Sequence, residues 1–230
     1  MTFPRQSAAL AVLSRLVRFS ELLATPGVIE RSEIRSSFGV MAFHGGNLER
    51  VTDDIAQIVA DRTGASLYVV TQLHPIREHI SSSKVLRSES SQLDAFLSHV
   101  DTTIALHGYG REGFWSSTLL GGTNRILAGH FAQTMNQHLP EFVAIDELDA
   151  IPSELRGLHR DNPVNVPRHG GVQIELPPRI RGLTPHAATM PRTDGFIAWT
   201  HRLVDALVEA INTRPASPAL PPISGVCEPG

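Results

Sequence analysis

Hydrophobic and polar residues follow two periods along this chain. Over residues 7–23, Leu10, Leu13, Leu16, Val17 and Phe19 favour one side of a helix, and Arg15 and Arg18 take the other. Pro26-Gly27 then breaks the pattern. The spacing predicts a helix packed on the domain surface, with a partner-binding or membrane-surface helix as the other option. From residue 28 onward, short apolar runs with β character alternate with helical stripes. Strands are expected at 39–43 (GVMAF), 66–73 (SLYVVTQL), 102–106 (TTIAL), 142–145 and 172–176 (VQIEL). Helices are expected at 52–62, 91–100, 123–139 and 194–212. In the first of these, Thr52 caps, Asp53 and Asp54 fill the first turn, and Ile55, Ile58 and Val59 form the stripe. In the third, Thr123 is the expected cap. This alternation predicts one α/β domain, with a mainly parallel (mixed) central sheet and helices on both faces. The boundaries drawn are a helical extension over 1–27, the α/β domain over 28–213, and a proline-rich, flexible tail over 214–230.

Composition narrows the function classes. The chain has 230 residues, 41% hydrophobic and 19% charged, enough to bury a core and unlike a disordered chain. Twenty basic residues against 23 acidic give a net charge of −3, so no general nucleic-acid binder is indicated. Attraction for an anionic substrate must therefore be local. The single cysteine, Cys227, excludes a disulfide framework or a Cys-rich metal site within one chain. The apolar run 8–13 is too short, and too soon followed by Arg15 and Arg18, to span a membrane. It also lacks a clean signal-peptide core with a cleavage site, so a soluble, cytoplasmic protein is expected, with release by lysis left open. Oligomeric state is not legible.

Candidate chemistry gathers at strand ends. GVMAF runs into His44-Gly45-Gly46-Asn47-Leu48-Glu49, and TTIAL runs into His107-Gly108-Tyr109-Gly110. In open α/β sheets, ligands bind beyond the carboxyl ends of the strands. His44, His107 and Glu49 would supply the His₂Glu set that catalytic zinc uses, or each His simply bonds to nearby backbone. In VQIEL, alternation places Val172, Ile174 and Leu176 on one face and Gln173 and Glu175 on the other. Glu175 is either a general base and acid beside an activated water or an ion-pair partner of Arg179 or Arg181. Arg168, with Asn165 nearby, is a candidate clamp for a substrate carboxylate or else a solvated loop residue. Arg111, Arg179 and Arg181 add candidate positive charge. There is no HExxH, Walker A, GxGxxG or G-x-S-x-G signature.

These pieces, in order, resemble the poly-γ-glutamate hydrolase family, the phage-type zinc enzymes related to carboxypeptidase A. The matching segments are AFHGGNLE (42–49), IALHGYG (104–110), LGGTN (120–124), NPVN with Arg168, and GGVQIELPPRIR (170–181). The likeness spans roughly 28–211. The resemblance implies a zinc-carboxypeptidase-like fold, His44, Glu49 and His107 as zinc ligands, and Glu175 as the catalytic carboxylate. It implies cleavage of γ-glutamyl amide bonds in poly-γ-glutamate, an anionic partner. Two alternatives stand beside it. One is a related metallo-carboxypeptidase or amidase acting on another acidic or cell-wall peptide. The other is an inactive binding domain of the same fold. The segment GGTNR departs from the family form, in which arginine directly follows the glycines, and so weakens the case for Arg125 as a substrate contact.

Overall fold

The computed structural model describes residues 17–216. Its strands are β1 (Val28–Glu33), β2 (Phe38–Gly46), β3 (Ser66–Gln72), β4 (Thr102–Gly108), β5 (Ser117–Leu120), β6 (Val143–Ile145) and β7 (Gly171–Leu176). They form one seven-stranded sheet in the order β1-β3-β2-β4-β7-β5-β6. The central four, β3-β2-β4-β7, run parallel. β1 pairs antiparallel with β3, β5 antiparallel with β7, and β6 parallel with β5. The helices are α1 (Phe19–Leu23), α2 (Thr52–Thr63), α3 (Ser91–His99), α4 (Arg125–His138), α5 (Pro185–Ala188) and α6 (Ala198–Asn212). None of the described helices is long and apolar enough to cross a membrane.

Helices cover both faces of the sheet. On one face, Ile55 and Val59 of α2, Leu127, Phe131 and Met135 of α4, and Leu203, Leu207 and Ile211 of α6 pack on Val40, Ile104, Val172 and Ile174. On the other, Phe19 and Leu22 of α1 and Leu93 and Phe96 of α3 pack on Met41, Tyr68, Val70 and Ala105. The expected α/β architecture is thus present. Two strands lie outside the sequence expectation. β1 is a polar edge strand, VIERSE, and β5 has four residues, so neither shows an apolar run. A short, charged edge strand discourages pairing with other chains, which is why it carries little hydrophobic signal.

Several boundaries differ from the sequence expectation. Val51, not Thr52, takes the cap position of α2, in a left-handed conformation (φ 81°), and the Thr52 hydroxyl donates to the Glu49 carbonyl. Asn124 caps α4 by accepting from the Leu127 N–H, while the Thr123 hydroxyl donates to Asn165. α6 starts at Ala198, because Thr193 and Phe196 close a β-bridge just before it. Of the expected 7–23 helix, Phe19–Leu23 is seen, whereas residues 7–16 lie outside the described residues, as do 217–230 with Cys227.

The topology makes one crevice. From β2 the chain passes through α2 to β3 on one side, and from β3 through α3 to β4 on the other side of β2. The carboxyl ends of β2 and β4 therefore flank the point where the winding reverses, the usual ligand position in such sheets.

Candidate active site

His44 reaches this crevice through an irregularity in its strand. Between Ala42 and Gly45, β2 advances three residues while β3 advances two, from Val69 to Thr71. The inserted residue resets the alternation and re-aims the side chain. His107 needs no such device, since it follows Thr103 and Ala105 on one face of β4. The two imidazole centroids lie 5.1 Å apart, and Phe43 packs edge-on against both at 4.9 and 4.8 Å. After Gly45 the chain turns back at once. Gly46 takes φ 68°, and a Cβ there would sit 2.4 Å from the Gln72 carbonyl oxygen. The Glu49 N–H then donates to the His44 carbonyl at 2.9 Å, returning the carboxylate to the strand end.

Glu49 joins the two histidines. Its Oε1 lies 3.1 Å from His44 Nδ1 and its Oε2 3.4 Å from His107 Nδ1. Oε2 also accepts from the Gly108 N–H at 2.9 Å. Burial alone would raise the Glu49 carboxyl, but the flanking imidazoles of His44 and His107 hold it far below the usual carboxylate range. For His107 the balance runs the other way: burial disfavours its charge, and Glu49 with Glu175 more than offsets that, so its pKa is raised.

The donor set fits a divalent cation. One atom from each of His44, Glu49 and His107 lies within 4.8 Å of the others, and among the described residues this is the cluster able to hold a metal. Tetrahedral zinc, with bonds of about 2.1 Å, needs its ligand atoms about 3.4 Å apart, so a small contraction suffices. His44 Nε2 lies 2.8 Å from the Ile80 carbonyl, to which it donates, leaving the Nδ1 lone pair turned to the cluster. Such an outer hydrogen bond fixes the ring and tautomer of a metal-binding histidine. The other nitrogen of His107, Nε2, is buried without a partner among the described residues.

Glu175 stands beside the cluster. It is the register partner of His107 on the neighbouring strand and is 4% exposed. It forms no ion pair among the described residues. Instead Asn162 Nδ2 donates to Gln173 Oε1 at 2.7 Å, and Gln173 Nε2 donates to Glu175 Oε1 at 2.8 Å. Burial pushes the Glu175 carboxyl up to about 7, helped by Glu49 and opposed by His107, Gln173 and Arg181. A carboxyl in this range can both take and return a proton near neutral pH.

A cavity of about 440 Å³ opens over these groups, lined also by Arg77, His79, Ser81, Ser82, Tyr109 and Leu155. The Tyr109 hydroxyl faces the carbonyls of Phe114 and Ser117 at 2.9 and 2.6 Å, so it is engaged away from the cluster. A larger cavity of about 550 Å³ lies at the opposite edge of the sheet, around Thr102, Thr123, His169 and Arg214. It holds no metal-type cluster among the described residues.

The structure thus brings His44, Glu49, His107 and Glu175 together. It does not bring Arg168 or Asn165 to them. Arg168 is exposed in the turn before β7, and the next residue, His169, donates its N–H to Asp101 beside the amino end of β4. That is the edge of the sheet away from His107. The Asn165 side chain is consumed in structure, accepting from Thr123 and donating to the Gly157 and His159 carbonyls. Arg111 pairs with Glu154, Arg179 lies over Trp199, and Arg125 donates to the carbonyls of Leu120, Gly122 and Asp146. Sequence reasoning missed His79, whose ring lies 5.0 Å from that of His44, and Arg77. Both sit in the 73–81 loop, which carries no apolar period.

The fold and the cluster define an α/β protein with a His–Glu–His site at the carboxyl ends of parallel strands. The chain belongs to the poly-gamma-glutamate hydrolase family, whose model matches residues 16–194. In fold it is similar to bacteriophage poly-gamma-glutamate hydrolase, with TM-score 0.67, 24% identity, and coverage of 83% of this chain and 91% of that one. It is similar also to YNDL in its apo, zinc-free form, with TM-score 0.68, 19% identity, and coverage of 85% and 96%. A metallo-carboxypeptidase from Burkholderia cenocepacia aligns at TM-score 0.41 and 9% identity over 84% and 67% of the two chains. No curated protein sequence matches the chain significantly.

Proposed function

We propose that this protein hydrolyses the γ-glutamyl amide bonds of poly-γ-glutamate, with zinc held by His44, Glu49 and His107 and with Glu175 as the proton carrier. The observation that carries the reading is the convergence of three ligand atoms beside a buried glutamate, in a chain of this family. Zinc, when bound, supplies an acidified water and a Lewis acid for the amide carbonyl. The rest falls to the chain's own residues. Glu175 takes the proton of the attacking water and passes it to the departing α-amine, so one water is consumed and one carboxylate and one amine appear. Gln173 donates to Oε1 of Glu175, fixing that oxygen and leaving Oε2 without a protein partner among the described residues. Phe43, fully buried, packs edge-on against both imidazoles and so holds their ring orientation.

The test is direct. Incubation with poly-γ-glutamate should shorten the polymer, read by size-exclusion chromatography, and a chelator should stop the shortening. Glu175→Gln should retain stoichiometric zinc by elemental analysis and lose about 10²–10⁴-fold in kcat. Unchanged polymer length with one zinc bound per chain would mark a binding domain instead.

A further inference from the structure

Beside the metal cluster lies a second cavity of about 300 Å³, walled by Asn47, Leu48, Arg50, Arg77 and Arg181. It shares Leu48 and Arg77 with the cavity over His44, Glu49 and His107. No carboxylate lines it. We infer that this cavity is a binding subsite for the α-carboxylate of a neighbouring residue of the polymer, gripped by Arg50 and Arg77 over the charge of Arg181. The inference rests on the proposed reading of the metal cluster as the site of cleavage.

Three observations carry it. First, Arg50 and Arg77 are exposed and form no ion pair with any described residue. Several exposed arginines are paired, Arg62 with Asp205, Arg87 with Asp94 and Arg111 with Glu154, while the other unpaired ones, such as Arg31 and Arg168, stand singly rather than around a shared hollow. Gathering three guanidinium groups around one hollow costs Coulomb energy, which an incoming anion offsets. This happens on a chain of net charge −3, so the positive field is local.

Second, Arg181 is 5% exposed and spends its hydrogen bonds on neutral acceptors. Its Nε donates to the Leu176 carbonyl at 3.1 Å, and its terminal nitrogens donate to the Arg50 and Tyr109 carbonyls at 3.0 and 3.3 Å. A guanidinium has five N–H donors, so one remains on each terminal nitrogen. No carboxylate forms an ion pair with it, and Glu49 and Glu175 favour its charge only from beyond contact distance.

Third, the arms of the subsite are anchored to the cluster. Arg50 directly follows Glu49. The 73–81 loop carrying Arg77 is pinned at three points. Asn47 Nδ2 donates to the Ile76 carbonyl at 2.8 Å, the Gln72 side chain holds the Glu78 backbone at 2.7 and 2.8 Å, and His44 Nε2 donates to the Ile80 carbonyl. A polymer with one carboxylate per repeat thus meets fixed cations one cavity away from the cluster, where fork-like guanidinium contacts to a carboxylate are strong.

Binding and cleavage are measured separately. Zinc-loaded Glu175→Gln protein is titrated with fluorescein-labelled poly-γ-glutamate, and anisotropy gives Kd at two salt concentrations. Adding Arg50→Gln and Arg77→Gln should raise Kd about tenfold and flatten its salt dependence, while Arg50→Lys with Arg77→Lys should restore most of the affinity. Polymer whose α-carboxylates are methyl-esterified should bind the parent and the double Gln variant alike. Equal Kd for labelled acidic polymer in parent and double Gln variant overturns the subsite. If the otherwise wild-type protein shortens the polymer and the double Gln variant does so with unchanged KM, the subsite falls and the hydrolase reading stands. If Kd shifts as expected while wild-type protein never shortens the polymer, the subsite stands and the hydrolase reading falls.

Discussion

Glu49 holds its charge between two imidazoles, and that charge sets how His107 titrates. Because the His107 pKa is raised, a proton competes with the cation over a wider range of pH than at an ordinary histidine. Zinc affinity should therefore weaken as pH falls, beginning above the usual imidazole value of 6.5. Isothermal titration at pH 6, 7 and 8 reads this directly, and a flat profile would refute the titration assigned to His107. Glu175 gives the second residue-scale expectation. Its folded pKa of about 7 lies above the ordinary 4.5, so its contribution to stability is fully present below pH 4.5 and is lost as pH rises through 7. In chelated protein, Glu175→Gln should gain on the order of 1–3 kcal/mol at pH 8 and almost nothing at pH 4. Urea unfolding at the two values decides it. The gathering of His44, Glu49, His107 and Glu175 is legible in sequence because each lies on or just after an apolar strand run. Arg168 and Asn165 are close to β7 in sequence, but sequence proximity does not say which edge of the sheet a loop serves.

At the scale of elements, the turn after β2 does the positioning. Gly46 combines a left-handed φ with a Cβ position already filled by the Gln72 carbonyl. Gly46→Ala should cost about 1–3 kcal/mol of stability and displace Glu49 from the histidines. Thermal unfolding and zinc content together test this, and wild-type values in both would show the turn to be tolerant. The sequence marks this turn through Gly45-Gly46, yet the extra residue in β2 that re-aims His44 leaves no trace in it, since a bulge changes pairing and not hydrophobic pattern. The polar edge strand β1 is hidden because apolar periodicity reports burial and an edge has little of it, whereas β5 is buried but, at four residues, too short to show a period.

For the whole molecule, the alternation of strand and helix suffices for the α/β class, since each helix stripe must bury itself on a sheet face. Strand order is another matter. The reversal of winding between β2 and β4, which opens the crevice, depends on long-range pairing that no local pattern encodes. A cation bound there should tie together strand ends that the chain visits more than 50 residues apart, His44 and His107. Saturating zinc at about 1,000 times its Kd should stabilise the fold by roughly 4 kcal/mol, and chelation should remove that gain. Differential scanning calorimetry with and without chelator measures it. The bond from His44 to the Ile80 carbonyl has a wider reach. Through it, the segment bearing Arg77 is moored to a residue that the ion itself would orient. Turning His44 out of place would slacken that mooring, so the metal cluster and the arginine-lined hollow would loosen together, as parts of one mechanical unit.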